Sequence, residues 1–195
     1  MKKYELTAEF IEQWGKKLFR IKALISFGSV EAGELGGYVE KEDNLAQDGD
    51  AWVYGNARVC DDAWVCDNAW VCDNARVCDN AWVCDNARVC DNVMVCDNAR
   101  VCDNAWVCDN ADYLLIGRIG SRFSFTTFFK NKDKGITVSC GCFLGTIAEF
   151  RAKVTDTHGN NKHAKIYNLA ADMAELQILG EEHFDKLNTN KSEPF

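Results

Sequence analysis

The sequence predicts a mainly β protein whose central segment winds into a parallel β-helix with three flat sides, and three observations carry that expectation. First, ten six-residue units run without interruption from Ala51 to Asn110. Fixed-period self-similarity of this kind outweighs local propensity, because one unit cannot bury its own apolar face and must stack on its neighbours. Second, each unit reads Ala-(Trp or Arg)-Val-Cys-Asp-Asn with few exceptions. Alternation with period two sends Ala and Val inward and the Trp/Arg and Cys positions outward. Third, Asp-Asn closes eight of the ten units, and both side chains bond local backbone while Asn tolerates positive φ, so a bend is expected there.

Three such units close one coil, so residues eighteen apart stack at about 4.8 Å. The outward positions then form columns. One side carries Trp52, Trp70, Arg88 and Trp106; the next Arg58, Arg76, Met94 and Asp112; the third Trp64, Trp82 and Arg100. The cysteines align as Cys60/Cys78/Cys96, Cys66/Cys84/Cys102 and Cys72/Cys90/Cys108.

The flanks divide the chain into residues 1–44, an N-terminal strand and loop, residues 45–112, the β-helix, and residues 113–195, a C-terminal α+β cap. Lys17 to Phe27 alternates as a strand after a turn at Gly15, and GSVEAGELGGYVEKEDN reads as a glycine-rich acidic loop. Beyond residue 113, YLLIGRI, RFSFTTFFK and GITVSCGCF are three strand-like runs. Thr146 to Glu149 matches a capping box opening one helix, and NKHAKIYNLAADMAELQIL reads as a second. A cap is needed because an open β-helix end exposes unpaired strand edges.

V-C-D-N-A and V-Y-G-N-A resemble the hexapeptide motif of left-handed parallel β-helix proteins. The left hand is what this resemblance implies; the general rule for parallel crossovers points the other way. RIKALISFGSVEAGELGGYVEKEDNLAQ before the repeats, and LIGRIGSRFSFTTFF with GCFLGTIAEFRAKVTDTHGNNKHAKIY after them, resemble hexapeptide-repeat proteins of bacteria, phages and prophages. The chain departs from that pattern where Tyr or Ser followed by Gly is usual, carrying Cys followed by Asp almost throughout.

Function is narrowed by what the residues exclude. The chain of 195 residues has a formal charge of -8, which disfavours phosphate-backbone binding, while regular acid columns could imitate a nucleic-acid backbone and occupy a DNA-binding protein's groove. No membrane span or apolar leader stands out, and the expected setting is the cytosol of a bacterial host. The eleven cysteines recur at C-x5-C, a spacing of neither a secreted disulfide scaffold nor a zinc ribbon, so reduced thiols and no cofactor are expected. Serine at all nine repeat positions should then be tolerated, since they are expected to face outward.

Acyltransferases and carbonic-anhydrase-like enzymes on this fold need histidine on the coils. The repeats contain none, and the expectation is a non-enzymatic module. Trp and Arg are the residues most enriched in interface hot spots. The Trp52, Trp70, Arg88 and Trp106 side is therefore the expected docking surface, with Trp64, Trp82, Arg58 and Arg76 extending it and corner acids such as Asp73 and Asp91 steering association. The expected partner is a host protein or complex; a second copy of the chain, a nucleotide-like ligand, a metal on the thiols and a phage-particle spacer role are the alternatives. Stacked flat side chains that simply cover a thin sheet are the plainer account of the same columns, with Arg over Trp worth about 0.5–1 kcal/mol.

Overall fold

A computed structural model describes residues 1–182 and resolves into two compact units, 1–110 and 111–195 by chain position. The last residues of the third predicted segment, 183–195, lie outside the described residues.

The first unit is a parallel β-solenoid. Its ten hexads each contribute a two-residue strand, Trp-Val, Arg-Val or Met-Val, and each pairs in parallel with the strand eighteen residues away. Every core Val and Ala of the hexads is buried, between 0 and 2 % exposed. One side has the order Trp106, Arg88, Trp70, Trp52, and another Arg100, Trp82, Trp64, so those columns stand as the spacing predicts. On the third side Tyr38, Arg58, Arg76 and Met94 are in line; Asp112 falls in a short 3-10 turn rather than in that strand column.

The corners differ from expectation in one respect. Asp, not Asn, adopts positive φ, from Asp61 through Asp103 at 57 to 61°. The N–H that ends each turn, from Ala or at one turn Val93, donates to the carbonyl three residues back, Tyr54 in the first turn and Cys thereafter, as Ala63 does to Cys60 at 3.2 Å. Positive φ at the first central residue of such a turn is the type II′ pattern, which normally selects glycine. Gly55 takes that position in the first hexad. Asp compensates for its strain with its side chain: Oδ2 of Asp85 accepts the N–H of Asp103 at 3.0 Å, and Asp79 accepts from Asp97 at 3.1 Å. The carboxylate thus satisfies a turn donor one coil further on.

The cysteines also depart from the outward phase. Cys60, Cys66, Cys78, Cys84 and Cys102 are buried, 3 to 8 % exposed. Alternation stops at the corner, where the chain bends and folds the thiol back against the coil. Serine at these five positions would place a hydroxyl in a buried setting, so it is not the neutral replacement that an outward position would allow. Cys90 and Cys108 are joined by a disulfide between successive coils, Cα atoms 4.8 Å apart, against the expectation of thiols throughout.

The N-terminal segment builds the solenoid's starting edge. Strand β1 (Tyr4–Gln13) and strand β2 (Lys16–Ala23) form an antiparallel hairpin through a two-residue turn. Trp14 and Gly15 both have positive φ there, 52° and 76°, the type I′ geometry that suits hairpin twist. The segment predicted as a loop contains a third strand, β3 (Leu35–Val39), because Gly36 and Gly37 leave room for it: a Cβ on Gly37 would lie 2.5 Å from the Ala57 carbonyl oxygen. Strand β3 pairs antiparallel with β2 and parallel with the Arg58 strand, so the hairpin covers an edge that would otherwise present unpaired backbone. Leu45 bridges Val65 of the next coil in parallel, and the buried Asn44 holds the corner, its amide donating to the carbonyls of Asp61 and Ala63. Lys3 is only 2 % exposed, its Nζ donating to the carbonyls of Asp48, Gly49 and Ala51; burial holds its pKa down to about 8, against the pull of Asp48 and Asp50.

The second unit is an antiparallel sheet of four strands, Tyr113–Ile119, Ser124–Lys130, Ile136–Cys140 and Phe143–Thr146, with two helices, α1 (Ile147–His158) and α2 (Lys162–Leu179). The run GITVSCGCF is two strands rather than one: Gly141, at φ 62°, turns the chain, so Cys142 sits exposed in the turn and does not share a face with Cys140. Phe128, Val138, Phe150, Val154, Tyr167 and Ala171 are among the residues of its core. Helix α1 begins with the predicted capping box: Thr146 Oγ1 accepts the Glu149 N–H, and the Glu149 carboxylate accepts the Thr146 N–H at 2.8 Å. We expect Thr146→Ala to remove about 1 kcal/mol of stability, read as a lower denaturant midpoint and faster amide exchange confined to the first turn of α1.

Candidate functional site

The rungs bring the predicted side chains into contact along each side. On one side Tyr54 packs against Trp70 at 5.4 Å, and the Arg88 guanidinium lies 4.7 Å from the Trp70 ring centroid and 5.9 Å from that of Trp106. Trp106 is 46 % exposed. Trp52 is a different matter. Predicted to face a partner, it is fully buried, with Tyr4 at 6.1 Å and Phe27 at 5.4 Å packed edge-on against its indole. The N-terminal segment folds over the first rung and removes Trp52 from the docking surface.

The neighbouring side presents a more open array. Trp64 and Trp82 are 36 and 38 % exposed and meet edge to face at 5.2 Å, and the Arg100 guanidinium stands 4.7 Å over Trp82. These contacts fix the rings of a side already held by parallel backbone pairing, so little side-chain freedom remains to be lost on binding. The third side is partly covered: Arg58 and Arg76 are half-buried, and Trp14 of the hairpin turn lies 5.5 Å from the Arg76 guanidinium.

Exposed acids line the corners between the sides. Asp67 and Asp85 follow the Trp64 and Trp82 strands, while Asp73 and Asp91 stand between the Trp70 side and the Arg76 side. The acids and the thiols meet at these corners. Cys66 Sγ lies 3.2 Å from Asp67 Oδ2, and burial, seconded by that carboxylate, pushes the Cys66 thiol up to about 12. Cys72 is pushed to about 12 for the same reasons. Such thiols are protonated and poor nucleophiles at neutral pH.

The second unit contains a pocket of about 220 Å³, lined by Arg122, Cys140, Lys153, His158 and Tyr167 among others. His158 stacks on Tyr167 at 5.8 Å, and burial, then Cys140, raises the Tyr167 phenol to about 12. Among the described residues no set of three ligating side chains forms there. The pocket is not legible in the sequence, because its lining comes from four separated segments.

Parallel two-residue rungs stacked every eighteen residues define a β-solenoid repeat protein. Residues 51–67 match the family model described as the YdcK beta solenoid repeat. No curated protein matches the sequence. No described helix is long and apolar enough to cross a membrane.

Proposed function

We propose that this chain is a non-enzymatic scaffold whose solenoid docks a protein partner on the side carrying Trp64, Trp82 and Arg100. The observation that carries the reading is the pair of exposed indoles fixed 5.2 Å apart, with a guanidinium stacked on one of them. Aromatic and arginine anchors on a rigid frame are what hot spots are made of. The acidic corners on both flanks, Asp61, Asp79 and Asp97 before the strands and Asp67, Asp85 and Asp103 after them, suit a partner whose apolar patch is rimmed by Lys and Arg. The Trp70, Arg88 and Trp106 side extends the surface, without Trp52. The reading places the partner, a protein or complex, in the cytosol of a bacterial host, with a phage or prophage setting and interference with host defence as its biological frame. That frame rests on the resemblance of the repeats and their flanking segments.

The test begins with a partner co-purified from the native host. Trp64→Ala combined with Trp82→Ala should weaken its binding by at least about 2 kcal/mol, the hot-spot scale, while the melting temperature changes little. Asp79→Asn with Asp97→Asn keeps an acceptor at each turn and should mainly slow association and flatten its salt dependence. Loss of binding on the Asp changes together with indifference to the Trp changes would replace docking by nucleic-acid mimicry.

A further inference from the structure

We propose that the corner bearing Cys66, Asp67, Cys84, Asp85 and Cys102 is a binding site for a soft divalent d10 cation of the zinc class. The ion is held by the thiolates of Cys84 and Cys102 and a carboxylate oxygen of Asp85; Cys66 and Asp67 offer a second position that shares Cys84. In each of the two trios, Cys66, Asp67, Cys84 and Cys84, Asp85, Cys102, the ligand atoms lie within 4.8 Å of one another. Thiolates at about 2.3 Å from a tetrahedral zinc stand about 3.8 Å apart, a separation that two cysteines on successive coils can reach. The neighbouring Cys102 thiol, then burial, push the Cys84 thiol well above its ordinary value. Oδ2 of Asp85 accepts the N–H of Asp103, which orients the carboxylate as an outer hydrogen bond orients a metal ligand.

This corner differs from the other two. At the Cys60 corner the Lys16 ammonium pairs with both Glu40 and Asp61, supplying the positive charge an ion would bring. At the Cys72 corner the Cys90 and Cys108 sulfurs are consumed in a disulfide. No lysine or arginine pairs with Asp67 or Asp85 among the described residues. Binding replaces two S–H protons: the dication, two thiols and one carboxylate give a complex of net charge -1 and release two protons to solvent, leaving a fourth position for water. Because the thiols are protonated at neutral pH, affinity rises as pH is raised.

The experiment uses the full chain, stripped with chelator and handled under argon without reductant, so that the Cys90–Cys108 disulfide stays closed. Titration with cadmium, followed by thiolate-to-metal charge-transfer absorption, should saturate at one to two equivalents, and zinc should compete. Cys84→Ser, which removes the shared ligand, should weaken binding by roughly a hundredfold, whereas Cys78→Ser should leave it unchanged. A second measurement needs no variant: zinc should protect Cys84 and Cys102 of the native chain from iodoacetamide, mapped by peptide mass spectrometry, while Cys78 and Cys142 keep their rates. Absence of saturable binding, equal loss in Cys78→Ser, or protection that ignores Cys84 and Cys102 overturns the assignment, even if Cys84→Ser fails to fold.

Discussion

Val77→Asp should unfold the solenoid or lower its stability by at least about 4 kcal/mol, while Arg76→Asp, one residue away, should change it by about 1 kcal/mol or less. Val77 is fully buried and stacked in register between Val59 and Val95, so a carboxylate there has neither water nor a partner. Arg76 is half-buried on the outer phase, aligned with the like charge of Arg58, and its replacement gives up a contact with Trp14 while relieving that repulsion. Chemical denaturation of the two variants checks the phase of the whole repeat. Similar midpoints would mean that inside and outside have been exchanged.

Trp52→Ala should cost about 3–5 kcal/mol, the range for truncating a buried aromatic, whereas Trp106→Ala should cost under about 1 kcal/mol. The two residues occupy the same column and the same place in the hexad. They differ in what covers them: Trp52 is sealed by Tyr4 and Phe27 and closely approached by Gly36, whereas Trp106 is nearly half exposed. Loss of Trp52 should also loosen the hairpin, read as faster amide exchange in β1 and β2. Equal effects of the two truncations would show that the N-terminal segment does not pack on the first rung.

That pair of tryptophans shows how far the sequence could be read. The coil period and the contents of each column were legible, because they follow from a six-residue repeat and the alternation of side chains. Burial of Trp52 was not: its own hexad is like the others, and the difference is made by Tyr4 and Phe27, far earlier in the chain. Strand β3 was hidden by two glycines that serve close packing rather than a turn. At the corners, alternation no longer applies, so the cysteines were placed outward when the bend tucks them in. The positive φ was assigned to Asn on general preference, whereas a carboxylate able to reach the next coil favours Asp. Of the predicted docking residues, Trp64, Trp82, Trp106, Arg88 and the corner acids stand exposed, Trp70, Arg58 and Arg76 are half-buried, and Trp52 is buried.

The most direct test of docking is photo-crosslinking in host cells with a benzophenone amino acid placed, one site at a time, at positions 64, 82, 76 and 153. The account predicts that positions 64 and 82 capture the same host protein, through a segment beside Lys or Arg residues, and that positions 76 and 153 do not. Capture from position 153 beside the pocket of the second unit, with none from 64 or 82, would contradict it.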